Sequence, residues 1–313
     1  MNAKAPMRIR GVLAPVVTPF HADLSPNTEA FVEHCRWLVA SGAGLAIFGT
    51  NSEANSLSVA ERIALTEALI NAGVPSSTMM PGTGTSAITD TVELTRHAVQ
   101  AGAAGVLMLP PFFYKNLSDD GLFAYYSEVI ERVGDSRMAL YLYNIPALSG
   151  VPITLNLIER LFARYPTVMA GVKDSSGDWS NTKAMIDEFA ADGLDIFPAS
   201  EALLSDALAI GGAGCISATA NVNPGNISLL VKTWNSEGAT ALQQKVTTIR
   251  KIFQSVPMIP AMKHTIAHWL EDDAWRVVRP PLMAFDETAG AKLVSDLEEV
   301  GFDMPGLKVG ARA

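Results

Sequence analysis

The chain has 313 residues, 49% of them hydrophobic and 18% charged, with 24 Gly and 18 Pro. This balance excludes disordered, collagenous and coiled-coil architectures. A formal charge of -9 argues against a general affinity for nucleic acid or anionic membranes, since both rest on a concentrated positive field. Two cysteines, Cys35 and Cys215, leave no disulfide framework and no metal-ligand spacing, and a reducing cytoplasm is the expected compartment.

The opening stretch carries Lys4, Arg8 and Arg10 ahead of apolar residues. Pro15 and Pro19 interrupt the run and no small-x-small pattern precedes His21-Ala22-Asp23, so no signal peptide is expected. No segment reaches the roughly 18 uninterrupted apolar residues of a membrane span, and no membrane association is expected.

Short apolar runs then recur at 11–20, 44–50, 78–83, 105–111, 138–144, 168–174, 195–200 and 214–219. Between them lie stretches of helical spacing such as 28–40, 59–71 and 91–101, each reaching a Gly near its end, where a C-cap is expected. That is the rhythm of parallel strands joined by helices. Eight runs predict an α/β fold, a closed (β/α)8 TIM barrel. A doubly wound open sheet is the competitor, but no GxGxxG turn follows the first run. Past Thr219 a turn at Asn223-Pro224-Gly225 leads into four helical patterns, 227–234, 239–256, 260–270 and 288–300, without intervening strands. The expected organisation is a barrel at 1–224 that carries the active site and a C-terminal helical extension at 225–313.

Active sites of such barrels lie at the C-terminal strand ends, so the residues closing the apolar runs are the candidates. Lys173 closes Val168-Met169-Ala170-Gly171-Val172, a strand expected to be buried on both faces, where an unpaired ammonium is expensive. Burial favours the neutral amine, the nucleophile that attacks a ketone to form a Schiff base. A lysine with its head in solvent, or paired with Asp174 or Asp178, is the competing reading, and from position alone the two stand level. Imine formation also needs protons moved onto and off the carbinolamine oxygen, which a phenol beside the amine can carry. Tyr143 and Tyr141 share one face of a period-2 strand, so one or both point into the barrel. A satisfied core hydroxyl is the ordinary alternative for a single tyrosine. Gly49-Thr50-Asn51 offers hydroxyl and N–H groups suited to a carboxylate, or an ordinary helix cap.

Other patterns carry less. His21, His34 and His97 are dispersed, and His264 and His268 share helical spacing but lie in the C-terminal extension without a carboxylate-His strand motif, so a packing role outweighs a metal pair and no metal is expected. Gly82-Thr83-Gly84-Thr85 lacks the Lys-Ser/Thr of a phosphate loop, so no nucleotide is inferred.

In this order, the strand endings resemble those of the dihydrodipicolinate synthase/N-acetylneuraminate lyase family of class I, pyruvate-handling aldolases. Gly49-Thr50-Asn51-Ser52-Glu53 resembles its G-[ST]-T-G-E, Tyr143-Asn144-Ile145-Pro146 its Y-N-[VI]-P, and Gly171-Val172-Lys173 its G-[IVL]-K. Gly211-Gly212-Ala213-Gly214-Cys215-Ile216-Ser217 is similar to its eighth-strand G-G-x-G-x-I-S. The resemblance implies that Lys173 forms the imine, Tyr143 shuttles protons, and Thr50 relays them. It implies that Thr50 and Asn51 hold the pyruvate carboxylate, with Gly49 beside them, and that Ile216 lines the pocket through its carbonyl. It further implies a homotetramer, a dimer of dimers, in which a neighbouring subunit supplies an aromatic, here Phe113 or Tyr114. Because Phe113 has no hydroxyl, either Tyr114 performs that task or the relay is shorter.

Departures from the family pattern narrow the substrate. The Arg that dihydrodipicolinate synthases carry two residues after the Y-N-x-P proline is Leu148 here, and no leucine imitates a guanidinium clamp. The Asp-Glu pair and Ser by which sialic acid lyases grip a polyol correspond to Glu201-Ala202 and Ala218, and Ser52 stands where a Gly is usual. The expected activity is therefore reversible aldol cleavage or condensation of a 2-keto-3-deoxy-type acid through a Lys173–pyruvate imine. The distal end would lie toward Leu148, Ser149, Ser200 and Glu201. No cofactor is expected, since the protonated imine is itself the electron sink. Alternatives are dehydration of a keto-deoxy sugar acid, 4-hydroxy-tetrahydrodipicolinate synthesis with a substitute for the missing Arg, and a non-catalytic keto-acid-binding barrel.

Overall fold

The computed structural model describes residues 8–307, so Lys4 and the last residues of the expected extension lie outside the described residues. Seven strands form: β1 (Gly11–Ala14), β2 (Gly44–Leu45), β3 (Val106–Met108), β4 (Leu140–Asn144), β5 (Met169–Asp174), β6 (Asp195–Pro198) and β7 (Gly214–Ile216). They pair in parallel as β2-β1-β7 and β3-β4-β5-β6. The third expected run does not make a regular ladder, because Pro81 has no N–H to contribute. Its residues still bridge the two sheets. Met80 N donates to Leu45 O at 2.8 Å and Gly82 N to Ile47 O at 2.7 Å, while Leu107 N donates to Pro81 O at 2.8 Å. On the far side Ala213 N donates to Ile196 O at 3.0 Å, joining β7 to β6. The (β/α)8 barrel is closed.

Small residues make room inside it. Ala46, Ala139, Ala170 and Ala213 share the interior cluster with Leu13, Met80, Leu107, Tyr141, Tyr143, Phe197 and Ile216. A Cβ on Gly171 would overlap the Asp195 carbonyl and meet the Tyr141 ring at 2.9 Å, so only glycine lets β5 lie this close to β6 and to that ring. A register shift between Leu140 and Tyr141 sets Tyr141 opposite Gly171 and Tyr143 opposite Lys173, and such irregularities re-aim side chains next to sites. At the N-terminal mouth the Tyr141 hydroxyl donates to Asp195 Oδ2 at 3.2 Å, with Arg10 Nη2 2.6 Å from the same carboxylate.

The helices at 28–40 and 59–71 form over the expected residues, as Thr28–Ala40 and Val59–Asn71. The second begins with a capping box in which Ser58 and Glu61 satisfy each other's N–H groups. The helix expected at 91–101 starts earlier, as Ile88–Gln100, because its first turn is polar and carries no side-chain cap that would mark it. Helix Pro224–Thr233, counted with the extension on sequence grounds, buries Ile227 and Leu230 in the cluster that holds Val12 of β1. It is the eighth barrel helix, so the boundary expected at 224 falls one helix early. The helices that follow, Ala239–Gln254, Met258–Leu270 and Glu287–Glu299, pack across the same cluster. Among the described residues no helix is long and apolar enough to cross a membrane.

Two buried polar contacts fix the extension and the first helix to the barrel top. Lys263 Nζ donates to Glu53 Oε1 and, at 2.8 Å, to Val277 O, and both ionic side chains are fully buried. Arg279 N donates to the other Glu53 oxygen at 2.8 Å. Asn221 accepts from Val17 N at 2.9 Å and donates to Pro15 O and Ala218 O, stitching the end of β1 to the loop after β7. His34 reaches the same Asn221 oxygen at 3.5 Å, between Trp37 and Trp275.

Replacing Lys263 by Met leaves Glu53 a buried charge without its counter-ion and is expected to destabilise the fold by about 3–5 kcal/mol, measured by denaturant unfolding. Burial lowers the His34 imidazole to about 4, although its contact with Asn221 pulls the other way. Protons then bind the unfolded chain more readily than the folded one between the free imidazole value of about 6.5 and that lowered value, so stability falls as pH drops through the window. His34→Gln is expected to flatten this limb by up to about 1.4 kcal/mol per pH unit, read from melting temperatures across it.

Candidate active site

The C-terminal ends of the strands open into a cavity of about 280 Å³, near the lower end of the range for small-ligand sites. Lys173 comes up from β5 with only 3% of its surface exposed. Its Nζ sits 4.1 Å from the centroid of the Tyr143 ring. Among the described residues neither carboxylate weighed as its partner pairs with it. Asp174 is held by Asn144 Nδ2 at 2.8 Å, by Ser176 Oγ at 2.8 Å and by Thr182. Asp178 instead caps helix Trp179–Phe189 through Ser180 N. The amine is left facing the cavity, a tyrosine and apolar walls.

Tyr143 lies on the inner face beside Tyr141, and its hydroxyl is 3.1 Å from Thr50 Oγ1. Burial alone would raise this phenol, but the neighbouring Lys173 charge and the Thr50 hydrogen bond outweigh it, leaving the group below its ordinary value. Such a phenol gives up its proton more readily than a free tyrosine. Tyr141 goes the other way, pushed well up by burial and the Asp195 charge. Of the two tyrosines the sequence offered, it is the core one.

Thr50 and Asn51 begin a short 3-10 turn, Thr50–Ser52. Phe48 and Glu53 on either side of this loop both take left-handed backbone, φ 60° and 55°, conformations that non-glycine residues hold only when the surroundings over-determine them. Phe48 stacks on Phe31 with ring centroids 6.2 Å apart, and Glu53 is pinned by Lys263. Beneath the loop, a Cβ on Gly82 would overlap the Phe48 carbonyl. Ser52, standing where the family pattern has Gly, is fully buried, and its carbonyl accepts from Thr18 Oγ1 at 2.8 Å. The loop is thereby held from several sides, and among the described residues the Thr50 and Asn51 N–H groups donate to no protein acceptor.

Ile216, Ser200 and Leu148 also line the cavity. Ser200 Oγ accepts from Ala202 N at 3.3 Å, so its own proton remains available. Leu148, on the short helix Pro146–Ser149, is 66% exposed at the rim. Other candidates stand off the wall. Ser149 is turned inward, its Oγ bonded to Val151 O at 3.0 Å and to Val151 N at 3.1 Å. Glu201 is fully buried behind the wall, accepting from the Ser217 and Thr219 hydroxyls. Gly49 caps the turn from behind it. Tyr114 and Phe113 project from the surface at 66% and 73% exposure, their rings edge to face.

Sequence reasoning missed part of the wall. Arg250, Gln254 and Met258 reach it from the helices beyond the barrel, so the extension helps to build the site that was expected of 1–224 alone. Arg250 and Gln254 are one helical turn apart on helix Ala239–Gln254, but nothing local distinguishes them from a solvent-facing pair. Ser175, directly after Lys173-Asp174, has a buried hydroxyl without a partner among the described residues and also lines the cavity. Its place in the motif was the available signal.

Comparisons with known proteins agree with this architecture. The sequence profile of the Dihydrodipicolinate synthetase family matches residues 8–300. A protein of Chloroflexus aurantiacus named as an uncharacterized DapA-like lyase is 34% identical over 93% of this chain and 97% of its own. The crystal structure of dihydrodipicolinate synthase from Agrobacterium tumefaciens superposes with a TM-score of 0.86 at 30% identity, covering 93% of this chain and 99% of that one. A prophage protein of the dihydrodipicolinic acid synthase family from E. coli K12, solved in complex with pyruvate, gives 0.85 at 27% identity, over 94% and 99% of the two chains. With its profile matched from the first strand to the last helix, the chain belongs to the dihydrodipicolinate synthetase family.

Proposed function

We propose that this lyase, a class I aldolase, joins Lys173 to the carbonyl of a 2-keto(-3-deoxy) acid and makes or breaks the carbon–carbon bond beside it, with pyruvate as the imine-bound component. The observation that carries the reading is the buried amine of Lys173, free of a carboxylate partner and stacked on a phenol that is itself hydrogen-bonded to Thr50.

The substrate carboxylate would rest on the Thr50 and Asn51 N–H groups. The Lys173 amine adds to the keto carbon, and Tyr143 gives the carbinolamine oxygen the proton with which it leaves as water. In the cleavage direction, the Tyr143 phenolate left by that step takes the proton from the hydroxyl on the fourth carbon, and an aldehyde is released. The electron pair of the broken bond passes into the protonated imine, giving an enamine. Protonation of that enamine and addition of water return pyruvate and the free lysine. Thr50, hydrogen-bonded to the Tyr143 hydroxyl, relays protons to it, passing on one for each that it receives, and the proton taken from the substrate hydroxyl is the one that Tyr143 returns to the enamine. No metal or organic cofactor enters, because the imine accepts the electrons. The same reading takes the enzyme as a cytoplasmic homotetramer, a dimer of dimers, in which Tyr114 of a neighbouring copy extends the relay. The buried, free cysteines and the exposed Phe113–Tyr114 pair support it.

Incubation with pyruvate and borohydride should add one reduced pyruvyl group to the native protein, seen by intact mass, and none to Lys173→Ala. An adduct that persists on Lys173→Ala would place the imine elsewhere. Products from keto-deoxy acids distinguish the routes, pyruvate marking cleavage and a keto-semialdehyde marking dehydration. Tyr143→Phe should slow turnover by about 10²–10⁴-fold. The alkaline limb of the native rate profile should begin below the titration range of free tyrosine, since the ionised phenol has no proton to give.

A further inference from the structure

Arg250 is more than nine-tenths buried and lines the same cavity as Lys173. A guanidinium has five donors and no acceptor, and few of these are used. Nη1 donates to Ser217 Oγ at 3.1 Å. Nε is buried without a partner, and among the described residues Nη2 donates to no protein acceptor. The carboxylate closest to it, Glu201, stands 3.8 Å from Nη1 and has its two oxygens occupied by the Ser217 and Thr219 hydroxyls. A buried cation left this incompletely bonded is costly unless something else completes it.

We infer that Arg250 receives a second carboxylate at the far end of the substrate, so that the site takes 2-keto dicarboxylates. The inference rests on the Lys173 imine reading above. A planar fork of donors matches a carboxylate in both charge and geometry, and a neutral hydroxyl in neither. Around it the wall supplies the apolar Leu203, Ala218 and Met258, with Gln254 and Ser200 as its neutral polar groups, so Arg250 is the charge on this side of the cavity. Thr50 and Asn51 would hold the first carboxylate, and Arg250, rooted on a different helix, the second. This accounts for Leu148, since a guanidinium already stands in the cavity from another direction.

The test measures the concentration dependence of borohydride trapping on the native protein with pyruvate, 2-oxoglutarate and 5-methyl-2-oxohexanoate, the last a monocarboxylate of matched shape with a neutral distal end. The dicarboxylate should half-saturate about tenfold or more below this matched monocarboxylate. Arg250→Met should abolish that ratio and Arg250→Lys retain part of it, with thermal melting confirming that each is folded. Should Arg250→Met not fold, the native ratio and its reduction in Arg250→Lys still decide. Pyruvate trapped without a preference for the dicarboxylate, or a preference that survives Arg250→Met, would overturn the role of Arg250. Failure to trap any keto acid on the native protein would instead overturn the Lys173 imine itself.

Discussion

An amine inside an apolar barrel loses hydration that nothing in hydrocarbon replaces, and the barrel interior is arranged about that constraint. Gly171 and four alanines thin the lining so that two tyrosines and Phe197 fit within it. The shift between Leu140 and Tyr141 then brings Tyr143, rather than an aliphatic residue, level with Lys173. The carboxylate that follows the lysine in sequence is drawn off by Asn144, Ser176 and Thr182. What remains beside the amine is the face of a ring and the open cavity, an environment in which the polarity of an incoming keto acid is felt strongly.

A second constraint supports the first. The loop that carries Thr50 and Asn51 holds two non-glycine residues in left-handed backbone, and such strain persists only under reinforcement. The reinforcement comes from far along the chain, through Lys263 and the Arg279 backbone meeting at Glu53. The helical extension therefore supports the geometry of the loop as well as covering apolar surface.

Much of this was legible in the sequence because the signals were local. Apolar runs alternating with helical spacing located seven strands and the closing segment, and the residues that end them located Lys173, Tyr143 and Thr50. The helix Pro224–Thr233 was assigned to the wrong side of the boundary because only packing on β1 identifies its partner. Glu201 looked like a site residue since it follows a strand end, but the hydroxyls of Ser217 and Thr219 give it a better home behind the wall. Arg250 was invisible for the opposite reason. On an amphipathic helix a charged residue reads as solvent-facing, and only the docking of that helix over the barrel mouth turns it inward.

The cavity is thus walled by two lengths of chain with different obligations. Strand ends between Thr50 and Ile216 are locked by register, by glycine contacts and by the closure of the barrel, so that moving one displaces its neighbours. The cavity-facing positions of helix Ala239–Gln254 take no part in the strand ladder, so their side chains can be exchanged without breaking a strand hydrogen bond. One wall can therefore diverge while the other is conserved, which gives a lineage built on this scaffold a way to change what it accepts without rebuilding the lysine's surroundings.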